Sequence, residues 1–224
     1  MGRHAGWIAA ASALASTNKT DPPHIILMPE VPFAKKKFID KVKQTVSNEG
    51  FCVVVASEGT RYKNGMFLAD SGLTDAFGHK QLGGVAPVLA QMISSIGLKN
   101  HWAVSDYLQR SARHISSKTD LDQAYAVGKK AVEFALAGKN AVMPVIKRLS
   151  NKPYKWKIEA ASLSKVANVE KTLPKGYISK DGFRVTSKGL DYLRPLIQGE
   201  TPISYKDGIP VVAQLKNILV KKIT

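Results

Sequence analysis

Two arginines, a glutamate and a tyrosine stand where phosphate and hydroxyl chemistry would need them. Arg3 follows Met1 and Gly2 and precedes a run of small residues. Glu58 lies in Ala56-Ser57-Glu58-Gly59, directly after an apolar run, and Tyr107 opens the stretch Tyr107-Leu108-Gln109-Arg110. A guanidinium grips phosphate oxygens with two parallel hydrogen bonds. A carboxylate accepts hydrogen bonds from sugar hydroxyls. Glycine lets backbone approach a ligand closely, and a helix starting after it presents N–H groups that favour anions. Taken singly, each has a plain structural reading: a surface arginine, a solvated loop glutamate, a core aromatic with a satisfied hydroxyl. Taken together they describe a site for a phosphorylated, hydroxyl-rich ligand.

The elements that must position these residues follow from hydrophobic periodicity. Residues 3–15 are small and helix-compatible, 24–28 form an apolar strand, and 35–49 return to helical spacing with Phe38, Val42 and Val46 on one face. Gly50 stops that helix, and residues 51–56 form a second apolar, valine-rich strand. A helix is expected over 85–96 and a longer one over 121–136, with Asp120 near its start and Gly138 after its end. Residues 141–145 read as a third short buried strand. Short apolar strands alternating with amphipathic helices predict an α/β fold built of βαβ units on a parallel sheet. Ligands of such sheets sit beyond the carboxyl ends of the strands. Glu58 and Glu30 both fall there, Glu30 with a structural or supporting role. After Lys147 the texture becomes turn-rich, so residues 1–148 read as an α/β domain and 149–224 as a C-terminal extension packed on it.

Composition narrows the partners. The net charge of +16 attracts anions. The lysines are dispersed rather than gathered on one helix with interleaved aromatics, so nucleic acid is not the expected partner. No apolar run approaches the roughly 20 residues of a membrane span, and a cytoplasmic location without a membrane partner is expected. The single cysteine, Cys52, reads as a buried, inert thiol. His4, His24, His79, His101 and His114 lack metal-ligand spacing. Asp120 and Asp122 read as helix-start residues rather than a base or metal pair. Gly83-Gly84 reads as a turn or helix start rather than a phosphate loop.

In this order and spacing the pieces resemble the 6-phosphofructokinase family: Met1-Gly2-Arg3 before an alanine-rich helix, strand-Ser57-Glu58-Gly59, Tyr107-Leu108-Gln109-Arg110, and Ala131 to Gly138 in a late helix. The tail, with Trp156, Val166-Ala167-Asn168-Val169 and Tyr192-Leu193-Arg194-Pro195-Leu196, is similar to the pyrophosphate-dependent bacterial branch. The resemblance implies a Rossmann-like parallel-sheet three-layer sandwich. It implies that Met1, Gly2 and Arg3 serve the sugar-phosphate site, that Glu58 binds sugar hydroxyls, and that Tyr107, Leu108, Gln109 and Arg110 form the second sugar-phosphate segment. It further implies a glycolytic phosphotransferase acting on fructose 6-phosphate with pyrophosphate or ATP and Mg2+, and a homo-oligomer. The chain departs from the ATP-dependent pattern His-Ile-Gln-Arg-Gly-Gly at Tyr107, Leu108, Ser111 and Ala112. His101 aligns with an arginine of those relatives.

The family's Gly-Gly-Asp phosphate and magnesium motif and its Thr-Ile-Asp-Asn-Asp catalytic motif do not occur in this sequence. The chain therefore reads as a C-terminal portion that binds the acceptor sugar, without catalytic or metal residues of its own and with negligible turnover in isolation. Competing readings are an ATP-dependent portion, a non-catalytic regulatory subunit and a basic RNA-binding module.

Overall fold

The computed structural model describes residues 4–74, 80–82 and 84–219, with backbone alone at 71, 73, 74, 80–82, 109 and 110. Its organising feature is a short central strand with a hydrophobic layer on each face. The chain opens with helix α1 (Trp7–Ala11), which runs into a tighter turn at Ser12–Ala15, and then enters strand β1 (Ile25–Leu27). Helix α2 (Lys35–Glu49) buries Phe38, Val42 and Thr45 on one side. It ends where Gly50 adopts φ 80° and donates its N–H to Val46 O, a left-handed cap that glycine takes without steric cost. Strand β2 (Val54–Ala56) pairs parallel with β1 in the register Ile25 to Val54, Ile26 to Val55 and Leu27 to Ala56.

The alternation of side chains along β1 generates the layers. Ile25 and Leu27 join Phe33, Phe38, Val42 and Leu89 on one face. Ile26 and Met28 join Ala9, Ala10, Leu173 and Leu193 on the other. One face is thus covered by α2 and helix α3 (Val85–Ser94), the other by α1 and a late part of the chain. The Ile26 N–H donates to Phe183 O at 2.8 Å, so β1 is flanked by the tail as well as by β2. This is the α/β layering expected from the sequence, with a parallel sheet of two strands among the described residues.

The remaining elements are local. Strands β3 (Asp70–Thr74) and β4 (Lys80–Leu82) pair antiparallel. Helix α4 (Leu108–Ser111) is short, and helix α5 (Lys118–Leu136) is long. Strands β5 (Val142–Asn151) and β6 (Tyr154–Ser162) form a long antiparallel hairpin, followed by helix α6 (Leu163–Val166), helix α7 (Ser187–Leu193) and the small pair β7 (Tyr205–Lys206) and β8 (Ile209–Pro210).

Three expectations need correction. Helix α5 starts earlier than 121, because the Ser117 hydroxyl accepts the Asp120 N–H at 3.1 Å and caps it. Asp120 is therefore in the first turn, where a carboxylate complements the helix dipole. Residues 141–145 are not a short buried strand of the parallel sheet. They begin β5, whose nearest neighbour in sequence folds back on it, and Glu159 bridges Lys147 at 3.1 Å and Lys157 at 2.6 Å on an outward face. Finally, regular pairing of the second strand starts at 54 rather than 51. His24 accepts the Val53 N–H on its ring nitrogen Nδ1 at 3.0 Å, which gives the backbone a side-chain partner just ahead of β2.

Candidate functional site

Beyond the carboxyl end of β2 the chain closes a tight turn. Ser57, buried, donates its backbone N–H to Leu27 O at 2.9 Å, continuing the ladder by one residue. Its own carbonyl then receives the Thr60 N–H at 3.1 Å and the Thr60 hydroxyl at 2.7 Å. The Gly59 N–H donates to the Ser57 hydroxyl at 3.3 Å. Half-buried Glu58 is carried at the apex of this turn, its position set by paired backbone on either side.

Glu58 faces a cleft of about 1210 Å³. The α1 side contributes Ala5, Ile8 and Ser12, the sheet contributes Val54 to Glu58, and α3 contributes Val85, Leu89 and Ile93. The segment from Leu98 to Tyr107 forms the outer lip. The floor is apolar, and the lip mixes Lys99, Asn100, His101, Asp106 and Tyr107 with the exposed Trp102 and Val104. Among the described residues, Lys99 and His101 are the basic side chains lining it, and Glu58 and Asp106 the acidic ones. Such a surface offers hydrogen-bond donors and acceptors to a hydroxyl-bearing ligand.

The cleft brings together parts of the sequence-predicted set. Glu58 and Tyr107 line it, the latter with 69% of its surface exposed at the residue that leads into α4. Leu108, also exposed, is the first residue of α4 and is not among the lining residues. Gln109 and Arg110 lie within α4, where the backbone is described and their side chains are not. Met1, Gly2 and Arg3 lie outside the described residues, as do His79 and Gly83. The residues that follow the tripeptide reach the cleft through Ala5 and Ile8.

The other candidates sit elsewhere. Glu30 lies past the end of β1 but turns away from the cleft: its Oε1 accepts the N–H groups of Gly6 at 2.9 Å and Leu173 at 2.7 Å. That is the structural role the sequence suggested. Asp122 pairs with Lys118 at 2.5 Å one helical turn away. His24 is buried, with Nε2 at 3.1 Å from Thr20 O and Nδ1 accepting from Val53. Gly84, at φ 92°, immediately precedes α3, the helix-start use expected of it. Cys52 lines the cleft as a half-buried thiol. Burial pushes its pKa up, against smaller opposing effects of the Thr45 hydroxyl and Lys41. No three His, Cys, Asp or Glu side chains gather around a possible metal position among the described residues.

Sequence reasoning passed over Lys99 as one of many surface lysines. Nothing in its local pattern marks it; only the return of the chain after α3 brings it to the lip. Glu170 and Lys171 were likewise unremarked, because their contacts reach across more than 160 positions to His4 and Trp7.

Fold and site define a class: a layered α/β protein whose carboxylate stands at the carboxyl edge of a parallel sheet beside a cleft. A family model described as phosphofructokinase matches residues 1–135. The pyrophosphate--fructose 6-phosphate 1-phosphotransferase of Halomonas elongata is 59% identical over 216 residues, covering 96% of this chain and 52% of that protein. The protein of the same description from Xanthomonas campestris is 55% identical over 225 residues, covering 99% and 54%. Among solved structures, a pyrophosphate-dependent phosphofructokinase from Marinobacter aquaeolei superposes with a TM-score of 0.85 at 53% identity, covering all of this chain and 53% of that one. The chain belongs to the phosphofructokinase family. It spans about half the length of the curated relatives it matches.

Proposed function

We propose that this chain is the fructose-6-phosphate-binding portion of a pyrophosphate-dependent 6-phosphofructokinase. The observation that carries the reading is the convergence of Glu58, Tyr107 and the residues following Arg3 on one cleft at the carboxyl edge of the sheet. In this reading Arg3 and Arg110 grip the sugar phosphate, Met1 and Gly2 let the backbone approach it, Glu58 accepts from sugar hydroxyls, and Tyr107, Leu108 and Gln109 complete the segment that holds the phosphate. Lys99 adds a positive charge at the lip, beside Asp106.

The complete enzyme would move a phosphoryl group from magnesium-bound pyrophosphate to the sugar's C1 hydroxyl. That reaction needs a carboxylate to accept the hydroxyl proton and a metal-bound donor. In this reading the chain's share of the chemistry is to bind and orient the acceptor, and the Mg2+ ligands and general base are supplied by the rest of the complete enzyme. Turnover by the chain alone is expected to be negligible. Pyrophosphate as donor is favoured over ATP because the relatives at 59% and 55% identity are pyrophosphate--fructose 6-phosphate 1-phosphotransferases. A division into residues 1–148 and 149–224 belongs to the same proposal, with the tail packing onto β1 through Phe183 and Leu193; β5 crosses residue 148 without a break. So do a cytoplasmic setting and a homo-oligomer, the latter supported by exposed Phe51, Trp102 and Val104 along the cleft.

Isothermal titration of the chain with fructose 6-phosphate tests the reading. Saturable binding, lost in an Arg3→Ala, Arg110→Ala double variant, is expected. Magnesium-dependent formation of fructose 1,6-bisphosphate by the chain alone would overturn the division of labour, and equal binding by the double variant would overturn the site.

A further inference from the structure

Helix α5 is apolar on two faces. Its inner face buries Gln123 and Phe134, which lie in line along the helix, and packs on β5, β6 and the turn at Arg194–Ile197. Its charged side chains gather on a flank, where Asp122, Lys129 and Glu133 repeat at helical spacing. Asp122 is paired there with Lys118, and Glu133 with Lys130. A third strip, opposite the buried one, runs through Leu121, Tyr125, Gly128, Val132 and Leu136. Tyr125 is 74% exposed, Val132 60% and Leu136 84%. A side chain added at Gly128 would meet nothing within 4 Å. The outer side of a helix that faces water carries charge, and a helix apolar all round is buried. With its charge confined to one flank, α5 has the surface of a helix covered on both sides, yet among the described residues one side is bare.

Length and charge point to what covers it. The match to the Halomonas elongata relative takes in 96% of this chain but 52% of that protein, so nearly half of that protein lies outside the match. A body of that size can supply a whole packed layer. A second copy fits less well, because each copy carries a net charge of +16 and like charge opposes the association of two such chains. The strip itself holds no charged side chain, so its complement is an apolar surface.

We infer that the outer strip of α5 is the face on which the rest of a complete phosphofructokinase chain docks, through an apolar layer laid across Tyr125, Val132 and Leu136. Helix α5 then stands between two layers, its inner face on this chain's hairpin and its outer face on the other portion, and holds the two portions together. The inference rests on the reading of this chain as a portion of a longer enzyme. It does not depend on which phosphate the cleft binds, and its test uses no sugar binding.

Val132→Cys is made in this chain, and a cysteine is placed at the aligned position of the complete Halomonas elongata relative. Both are alkylated with iodoacetamide, and the rate at that site, relative to the same site in urea, is read by peptide mass spectrometry. A thermal melt of the chain and retained turnover of the relative confirm that each is folded; Tyr125→Cys replaces Val132→Cys where either fails. The site should react freely in this chain and about a hundredfold more slowly in the relative, because a covered thiol reacts only through local opening. Equal relative rates in the two proteins overturn the inference. A rate in this chain that falls as its concentration rises assigns the strip to a second copy and overturns it as well.

Discussion

The Glu30 carboxylate occupies the space that a side chain on Gly6 would need. A Cβ at position 6 would lie 2.7 Å from Glu30 Oε2 and 3.0 Å from Met28 Cβ and Cγ, while the Gly6 N–H donates to Glu30 Oε1 at 2.9 Å. The absence of a side chain and the presence of the hydrogen bond are one arrangement: the carboxylate reaches the backbone because nothing stands between them.

Gly6→Ala should therefore be destabilising even though position 6 has an ordinary backbone conformation, at φ −81°. Met28 is fully buried and has little room to retreat. Overpacking of this kind costs about 1–3 kcal/mol. For a chain of this length each kcal/mol lowers the melting midpoint by roughly 2–4 °C. Differential scanning calorimetry checks it, and an unchanged midpoint would show that the start of α1 shifts freely.

Arg148 is held between two aromatic rings. Its guanidinium carbon lies 3.8 Å from the Tyr192 ring centre and 4.7 Å from that of Tyr154, and Nη1 donates to Tyr192 O at 2.7 Å and Asn151 Oδ1 at 3.0 Å. A planar fork can stack and donate at once; an ammonium does only one of these well. Arg148→Lys should lose about 1–3 kcal/mol by urea denaturation, joining the hairpin to the tail less firmly. Equal stability would mean that charge alone matters there.

Asp181 organises the turn that presents Phe183 to β1. Burial pushes its pKa up, but the Ser179 hydroxyl and the Phe183 N–H, with Lys41 and Lys37 nearby, outweigh burial and hold it below the usual carboxylate range. A depressed folded pKa contributes stability that is present above the unfolded value of about 3.9 and lost as pH falls through the folded one. Stability measured from pH 7 down to about pH 3 should fall less steeply at its acid end in Asp181→Asn than in the parent. Parallel acid limbs would remove Asp181 from the account.

Cys52 should be a slow nucleophile. Burial raises its pKa, and the thiolate is the reactive form. Alkylation by iodoacetamide near pH 8, followed by mass spectrometry, should be clearly slower in the folded chain than in urea. A folded rate equal to the unfolded one would show an open, unperturbed thiol in the cleft.

What was legible in the sequence was whatever depended on neighbours. Helix α2 appears as read, because Phe38 and Val42 repeat at helical spacing and Gly50 supplies the cap. The start of α5 was misplaced because Ser117 and Asp120 are both acceptable near a helix start, and the hydrogen bond that chooses between them depends on where the preceding chain arrives. The first residues of β5 are apolar enough for a buried strand. Their pairing with β6 depends on a turn at 152–153, which periodicity over five residues does not report.

The sequence by itself determined the family, the alternation of short strands and helices, and the residue types that suit a sugar phosphate, because these are properties of order and spacing. Only the tertiary structure decided that Glu58 and Tyr107 share a cleft while Glu30 turns away to clasp Gly6 and Leu173. Both glutamates follow an apolar strand in the same way. Which one faces a cleft and which one meets backbone depends on what packs beside it, and for Glu30 that neighbour comes from 143 positions away.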